Sequence, residues 1–196
     1  MSEVLIKKEV LVNIKKTQTF AVSLFCGEIF EYLGDSDAEK EARGFYAEDA
    51  LTDCFSDRDM LFVIDSHSVQ QDSRHAKCLS QVKNYWEKAL VDIDIRIAIV
   101  LSKCETSESR DALCSIDTFI TSSFPETSKT IESLRQLPNV NIECFSYSAF
   151  GFLGEERERP NVEYVYKNDG VLKDASRWHP VGVFDPIYWL ATGCIL

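Results

Sequence analysis

Three stretches of the chain are apolar almost throughout: "DMLFVIDS" at 59–66, "IRIAIVLS" at 95–102 and "NVNIECFSYSAFG" at 139–151. Runs of this length, rich in Val, Ile and Phe, predict strands buried on both faces. Between them the period changes to that of a helix. In residues 69–92, Ala76, Leu79, Val82, Trp86 and Leu90 recur every three or four positions and predict a long amphipathic helix. Residues 109–124 and 128–137 predict two further helices, separated by Pro125. Buried strands alternating with amphipathic helices define an α/β fold, a mostly parallel sheet with helices on both faces.

The flanks read differently. Residues 4–16 and 19–26 alternate apolar with polar, are β-branched, and predict a hairpin turning near Thr17 and Gln18. Residues 36–55 predict a helix with Ser36 and Glu39 as a capping box. From Glu155 to His179 the chain is charged ("EERERP"), then strand-like ("VEYVYK"), with a turn at Asn168, Asp169 and Gly170 and then "VLKDASRW". This predicts an exposed insertion carrying a hairpin. Residues 185–192 predict a closing helix with Asp185 as N-cap, Pro186 at its first position and Gly193 past its end. The expected organisation is a core over 1–153, a charged insertion over 154–180, and a C-terminal helix over 181–196 packed on the core.

Composition narrows the partners. The 196 residues carry 21 Lys and Arg against 32 Asp and Glu, a net charge of -11. A scattered basic minority excludes the Lys/Arg stripe that draws a protein to nucleic acid or an anionic membrane. Seven cysteines, an odd number with no CxxC, predict reduced thiols and a cytoplasmic setting. No apolar run approaches the about 18 residues that span a bilayer, so membrane insertion is not expected.

Open parallel sheets bind ligands beyond the carboxyl ends of their strands. Here those ends are Asp65-Ser66, Ser102-Lys103-Cys104-Glu105 and Ser146-Tyr147-Ser148-Ala149. The order of hairpin, helix, "LFVID", long helix, "IVLSKCE", helix and "CFSYSAFG" resembles the Ras-like, translation-factor-class P-loop GTPases. In that family a strand ends in Asn/Thr-Lys-x-Asp, with the acid hydrogen-bonded twice to the guanine edge and the Lys stem along the base. "SKCE" matches at Lys103, with Ser102 and Glu105 as departures. The family's next strand ends in Ser-Ala, a backbone amide of which contacts the guanine oxygen; Ser148-Ala149 matches. The tail "PVGVFDPIYWLATG" is similar to the end of bacterial GTPase-like domains of multi-protein systems. The resemblance spans about residues 5–150 plus the tail, and implies Lys103, Glu105, Ser148 and Ala149 as vestigial nucleotide-binding positions.

The phosphate half of the family pattern is missing. None of the eight glycines is followed by Lys, so there is no G-x-x-x-x-G-K-[ST] to cradle phosphates and hold magnesium. The D-x-x-G segment aligns with "LFCG", putting Leu24 in place of the Asp and leaving Gly27 and Glu28. The chain opens where the family's second strand would stand, so the expected topology lacks the first strand and the phosphate loop. The implied function is a degenerate, non-catalytic GTPase-like domain acting as a protein-interaction or regulatory subunit. It would carry no catalytic residue, metal site or cofactor. One alternative is a GTP-binding protein or GTPase, with GTP and magnesium, whose phosphate-binding part lies outside this chain or comes from a partner. The other is a small-molecule binder on a reused scaffold.

Other constellations are weaker. Asp65-x-His67-Ser68 fails the D-x-S-x-S metal pattern, and Asp65 or Ser66 is expected to cap the following helix. Asp92 to Asp94 precede their strand rather than end it. His75 and Cys78 share a helix face but have no second pair for zinc. Trp86, Trp178 and Trp189 are expected to be packing anchors, Trp178 with a contact role open to it.

Overall fold

The computed structural model describes residues 8–14, 18–24, 59–89, 94–154, 159–166 and 169–195. Strands β1 (Lys8–Ile14) and β2 (Gln18–Leu24) form the antiparallel hairpin expected from their alternation, Lys8 opposite Leu24 and Ile14 opposite Gln18. The helix expected at 36–55, with Ser36 and Glu39, lies outside the described residues, as do Gly27 and Glu28.

The centre of the fold is a three-stranded parallel sheet in the order β3 (Asp59–Asp65), β4 (Ile95–Ser102), β5 (Val140–Ser146). Its register puts Asp65 beside Ser102 and Leu101 beside Ser146, so the three carboxyl ends finish level. β4 is the middle strand, and its residues from Ile97 to Ser102 are all buried. Successive side chains of a strand point to opposite faces, and the core divides accordingly. Ile95, Ile97, Ile99 and Leu101 join one apolar cluster, while Ala98 and Val100 join another.

Helices α1 (Asp72–Ala89), α2 (Ile116–Ser123) and α3 (Pro125–Arg135) supply the first cluster. Leu79, Val82 and Trp86 come from α1, Ile120 from α2, Ile131 and Leu134 from α3, with Phe124 fully buried between the last two. The other face is covered by α4 (Asp185–Thr192), whose Trp189 ring lies 5.8 Å from that of Phe145. The protein is therefore α/β with helices on both faces of a parallel sheet. Among the described residues no helix is long and apolar enough to cross a membrane.

Several boundaries differ from the sequence expectation. Residues 110–113 form a separate 3-10 turn, and α2 begins only at Ile116, after Ser115 in a non-helical conformation. Pro125 does not merely separate two helices; it opens α3, where its missing N–H costs nothing. That helix is capped from a distance. The Asp72 carboxylate, at the start of α1, accepts the backbone N–H groups of Glu126 at 2.8 Å and Thr127 at 2.9 Å. At α4 the N-cap is Phe184, not Asp185, and Gly193 ends the helix in the left-handed region at φ 73°.

After β5 come β6 (Phe152–Leu153) paired with β7 (Arg159–Pro160), then a hairpin of β8 (Val162–Tyr166) and β9 (Asp169–Leu172). The hairpin lies where the sequence places one, but Asp169 and Gly170 belong to β9 rather than to its turn. Nor is the segment simply exposed. Asn161 is fully buried; its amide donates to the Asp174 carbonyl at 2.9 Å, and its carbonyl oxygen accepts the Asp174 N–H at 2.9 Å.

Candidate functional site at the carboxyl ends of the parallel strands

The ends of β3, β4 and β5 are stitched together by the loops that leave them. Ser66 N–H donates to Ser102 O at 3.1 Å, Tyr147 N–H to Leu101 O at 2.9 Å, and Cys104 N–H to Tyr147 O at 3.1 Å. Lys103 turns the chain at the end of β4 with φ 59°, a left-handed conformation that costs a non-glycine residue about 1–2 kcal/mol. Its carbonyl is fixed there by two hydroxyls, Ser66 Oγ at 3.0 Å and Ser109 Oγ at 2.8 Å.

That turn sends Lys103 and Glu105 to different partners. Lys103 Nζ meets Asp65 Oδ2 at 2.7 Å, an ion pair about one-third exposed on each side. Burial alone would raise the Asp65 carboxyl. The Lys103 ammonium and the His67 backbone N–H, donating to Oδ1 at 3.0 Å, outweigh it and hold the carboxyl below its ordinary value. Asp65 thus closes a turn and binds Lys103 instead of capping a helix; Ser68 Oγ and N–H both donate to its carbonyl, at 2.6 and 2.9 Å.

Glu105 goes inward and is 1% exposed. Its Oε1 accepts the Tyr164 hydroxyl of β8 at 3.2 Å, and its Oε2 is buried with no hydrogen-bond partner among the described residues. A buried acceptor left unmatched costs about 1–3 kcal/mol. Burial, together with the Glu105 carboxylate it faces, pushes the Tyr164 hydroxyl up to about 12.

Ser148 and Ala149 stand on the neighbouring strand end. Ser148 is fully buried; its N–H donates to Val181 O and its carbonyl accepts Val181 N–H, both at 3.0 Å, while Oγ accepts Gly151 N–H at 2.9 Å. The C-terminal segment reaches Ser148 so closely that a Cβ on Gly182 would lie 2.3 Å from Ser146 O. Ala149 is exposed, and its carbonyl accepts the Trp178 indole N–H at 2.7 Å. The contact role open to Trp178 is therefore at least partly internal, although the residue remains 53% exposed.

A carboxylate, imidazole and hydroxyl also fall in line near the surface. Asp65 Oδ1 lies 3.5 Å from His67 Nδ1, and His67 Nε2 lies 3.0 Å from Thr106 Oγ1. Thr106 shares its hydroxyl with Ser109 at 2.9 Å and Asp65 is already committed to Lys103, so this line orders the loop rather than activating a nucleophile. The thiols of Cys104 and Cys144 are pushed by burial up to about 12 and are unreactive at neutral pH. His75, beside the Phe124 ring at 5.9 Å, is lowered first by burial and favours the neutral imidazole. Among the described residues no group of three or more His, Cys, Asp or Glu is arranged to hold a metal ion.

Lys103, Glu105, Ser148 and Ala149 thus lie at the carboxyl ends of β4 and β5. What sequence reasoning missed is the return of the later chain to those ends through Tyr164 and Trp178. The alternation in "VEYVYK" signals a strand with Tyr164 on one face, but carries no sign of the carboxylate it meets. No protein-family model, curated protein or solved structure matches this chain.

Proposed function

We propose that the chain is a GTPase-like domain of Ras-like descent that has lost nucleotide chemistry and serves as a non-catalytic protein-interaction or regulatory subunit. The observation that carries this reading is the internal engagement of both base-reading side chains. Lys103 is paired with Asp65 at 2.7 Å, and Glu105, 1% exposed, lies under Tyr164. Side chains committed to the fold are not presented to a base. The parallel order β3-β4-β5 supports the kinship, as does the level finish of the strands that carry the two family-like ends. The sequence supports the loss of chemistry: no glycine precedes a Lys, and Leu24 stands in place of the metal-side Asp. Exposed Val165, Val171, Trp178 and Phe184 offer apolar contact area for a protein partner. The free thiols of Cys78, Cys104, Cys114, Cys144 and Cys194 suit a bacterial cytoplasm.

A second reading has one observation in its favour. The buried, unpartnered Oε2 of Glu105 is an acceptor for which a base edge would supply a donor if Tyr164 moved aside. It describes a GTP-binding domain whose phosphate-binding part comes from elsewhere. Thermal unfolding with magnesium and GTP, GDP or ATP at millimolar concentration tests the two. A nucleotide at 100 times its dissociation constant adds about 2.7 kcal/mol, roughly 5–11 °C for a chain of this size. The proposal expects no guanine-specific shift; such a shift would overturn it in favour of the second reading.

A further inference from the structure

Toward the amino-terminal ends of β4 and β5, on the sheet face that α4 covers, lies a cleft of about 360 Å³ lined by Arg96, Asn141, Ile142, Glu143, Trp189 and Gly193. Lys103 and Glu105 lie beyond the other end of the same sheet. In the register of the two strands Arg96 stands beside Asn141, and Ala98 beside Glu143. Alternation along each strand therefore puts Arg96, Asn141 and Glu143 on one face, with the two charges diagonal across neighbouring strands.

The groups around this cleft keep bonding capacity that the fold does not use. A guanidinium has five N–H donors. Among the described residues the Arg96 side chain makes one hydrogen bond, from Nη1 to the Leu190 carbonyl of α4 at 2.6 Å. Gly193 closes in from the side, where a Cβ would lie 3.4 Å from Nη2, so the guanidinium is held in place. Glu143 is half-buried and takes no hydrogen bond or ion pair among the described residues, not even with Arg96, which shares the cleft. Burial raises its carboxyl, and Arg135, which pulls the other way, is already paired with Glu132 and Asp117. Trp189 is only 6% exposed, yet its indole N–H meets no acceptor among the described residues. A tryptophan this buried ordinarily gives its N–H to a partner. A fixed cation, a carboxylate short of a counter-charge and an unmatched buried donor thus line one cleft. Its volume falls at the lower end of small-molecule sites, about 300–1,000 Å³.

We propose that this cleft binds a small zwitterion of the α-amino acid class, with its carboxylate on Arg96 and the Trp189 N–H and its ammonium on Glu143. A simple anion would satisfy Arg96 but be repelled by Glu143, and a simple amine would meet the reverse. A ligand carrying both charges close together answers both, and the exposed Asn141 amide can donate to one end or accept from the other. The site goes beyond the proposed function and does not rest on it.

The Trp189 indole N–H resonance of the full chain, assigned by its loss in Trp189→Phe, reads occupancy directly. Each of the common L-amino acids is titrated to millimolar concentration. At least one is expected to shift that resonance saturably. The N-acetyl derivative of that amino acid lacks the ammonium and its carboxamide lacks the carboxylate. Each should bind about tenfold more weakly, the factor that one hydrogen bond to a charged group contributes. The decisive variant is Glu143→Gln, because Glu143 makes no bond in the fold whereas Arg96 also holds α4. It should melt with the wild type, weaken the amino acid about tenfold and leave the N-acetyl derivative unaffected. No saturable shift with any amino acid would overturn the site. Equal binding of the N-acetyl derivative, or wild-type affinity in Glu143→Gln, would overturn it too, because Arg96 would then be a plain anion contact. A guanine-specific thermal shift would instead defeat the functional reading and leave these titrations standing.

Discussion

Removing the Asp72 carboxylate should unfasten α3 from α1. Asp72 opens α1, yet its two oxygens accept the first free N–H groups of α3, from Glu126 and Thr127, and the Thr127 hydroxyl answers with a bond to Asp72 O at 3.2 Å. Thr127 is fully buried and Asp72 is 9% exposed, so the Thr127 N–H has little access to replacement water. Replacing an N-cap by Ala costs about 0.5–2 kcal/mol in exposed helices. Hydrogen bonds to a charged group are each worth about 1.5–3 kcal/mol. For two such bonds in a buried setting, with some relaxation, Asp72→Ala should lose about 3 kcal/mol, roughly 6–12 °C in midpoint. Asp72→Asn keeps one acceptor oxygen and should lose about half of that. The pH dependence has a definite sign. Burial would raise the Asp72 carboxyl, but the Thr127 and Glu126 donors and nearby His75 hold it below the ordinary 3.8. A carboxyl lowered in the folded state adds stability that is complete above its unfolded value and is lost as pH falls through its folded one. The gap between wild type and Asp72→Asn should therefore be full at pH 6 and shrink below about pH 4. Thermal unfolding monitored by Trp fluorescence from pH 3 to 7 measures it. An Asp72→Ala midpoint within about 2 °C of wild type, or a gap independent of pH, would refute the capping argument.

Three further outcomes follow from the same geometry. Lys103→Gly relieves the left-handed strain that Lys103→Ala retains, and both lose the Asp65 pair, so the Gly variant should melt above the Ala variant by about 2–4 °C, worth about 1 kcal/mol. Tyr164 is raised to about 12, so its contribution is present below pH 10 and lost as pH climbs through 12; ultraviolet titration of the wild type should show a late tyrosinate step that Tyr164→Phe lacks. Iodoacetamide at pH 8 should label exposed Cys114 and Cys194 well before buried Cys104 and Cys144, as peptide mapping of a time course would show.

The parallel sheet was legible because β3, β4 and β5 leave continuous apolar runs, and α1 because its apolar positions recur regularly from Ala76 to Trp86. Helix ends were harder to read. Asp185 and Pro186 look like a cap and a first turn, yet Phe184 occupies the cap, a shift of one residue that local sequence does not determine. The break at Cys114 and Ser115 came from residues whose propensities fit a helix equally well. At the site, Lys103 and Glu105 were visible as a pair at a strand end, but their partners were not. Asp65 lies one strand away and Tyr164 on a hairpin far along the chain; contacts at that separation leave no periodic trace in either segment. Asn161 illustrates the limit best. In sequence it is a polar residue after a Pro in a charged stretch; in the fold it is wholly buried and ties β8 to the turn at Asp174–Arg177.

The most direct test of the central claim, that the edge proposed as the remnant of a base site is closed by the chain's own side chains, is a nuclear magnetic resonance titration of the amides at 103–106 and 147–151 with magnesium and GDP up to millimolar concentration. The account predicts that these resonances hold their positions as GDP and ADP are added alike. Saturable, guanine-specific shifts at Glu105 and Ala149 would contradict it.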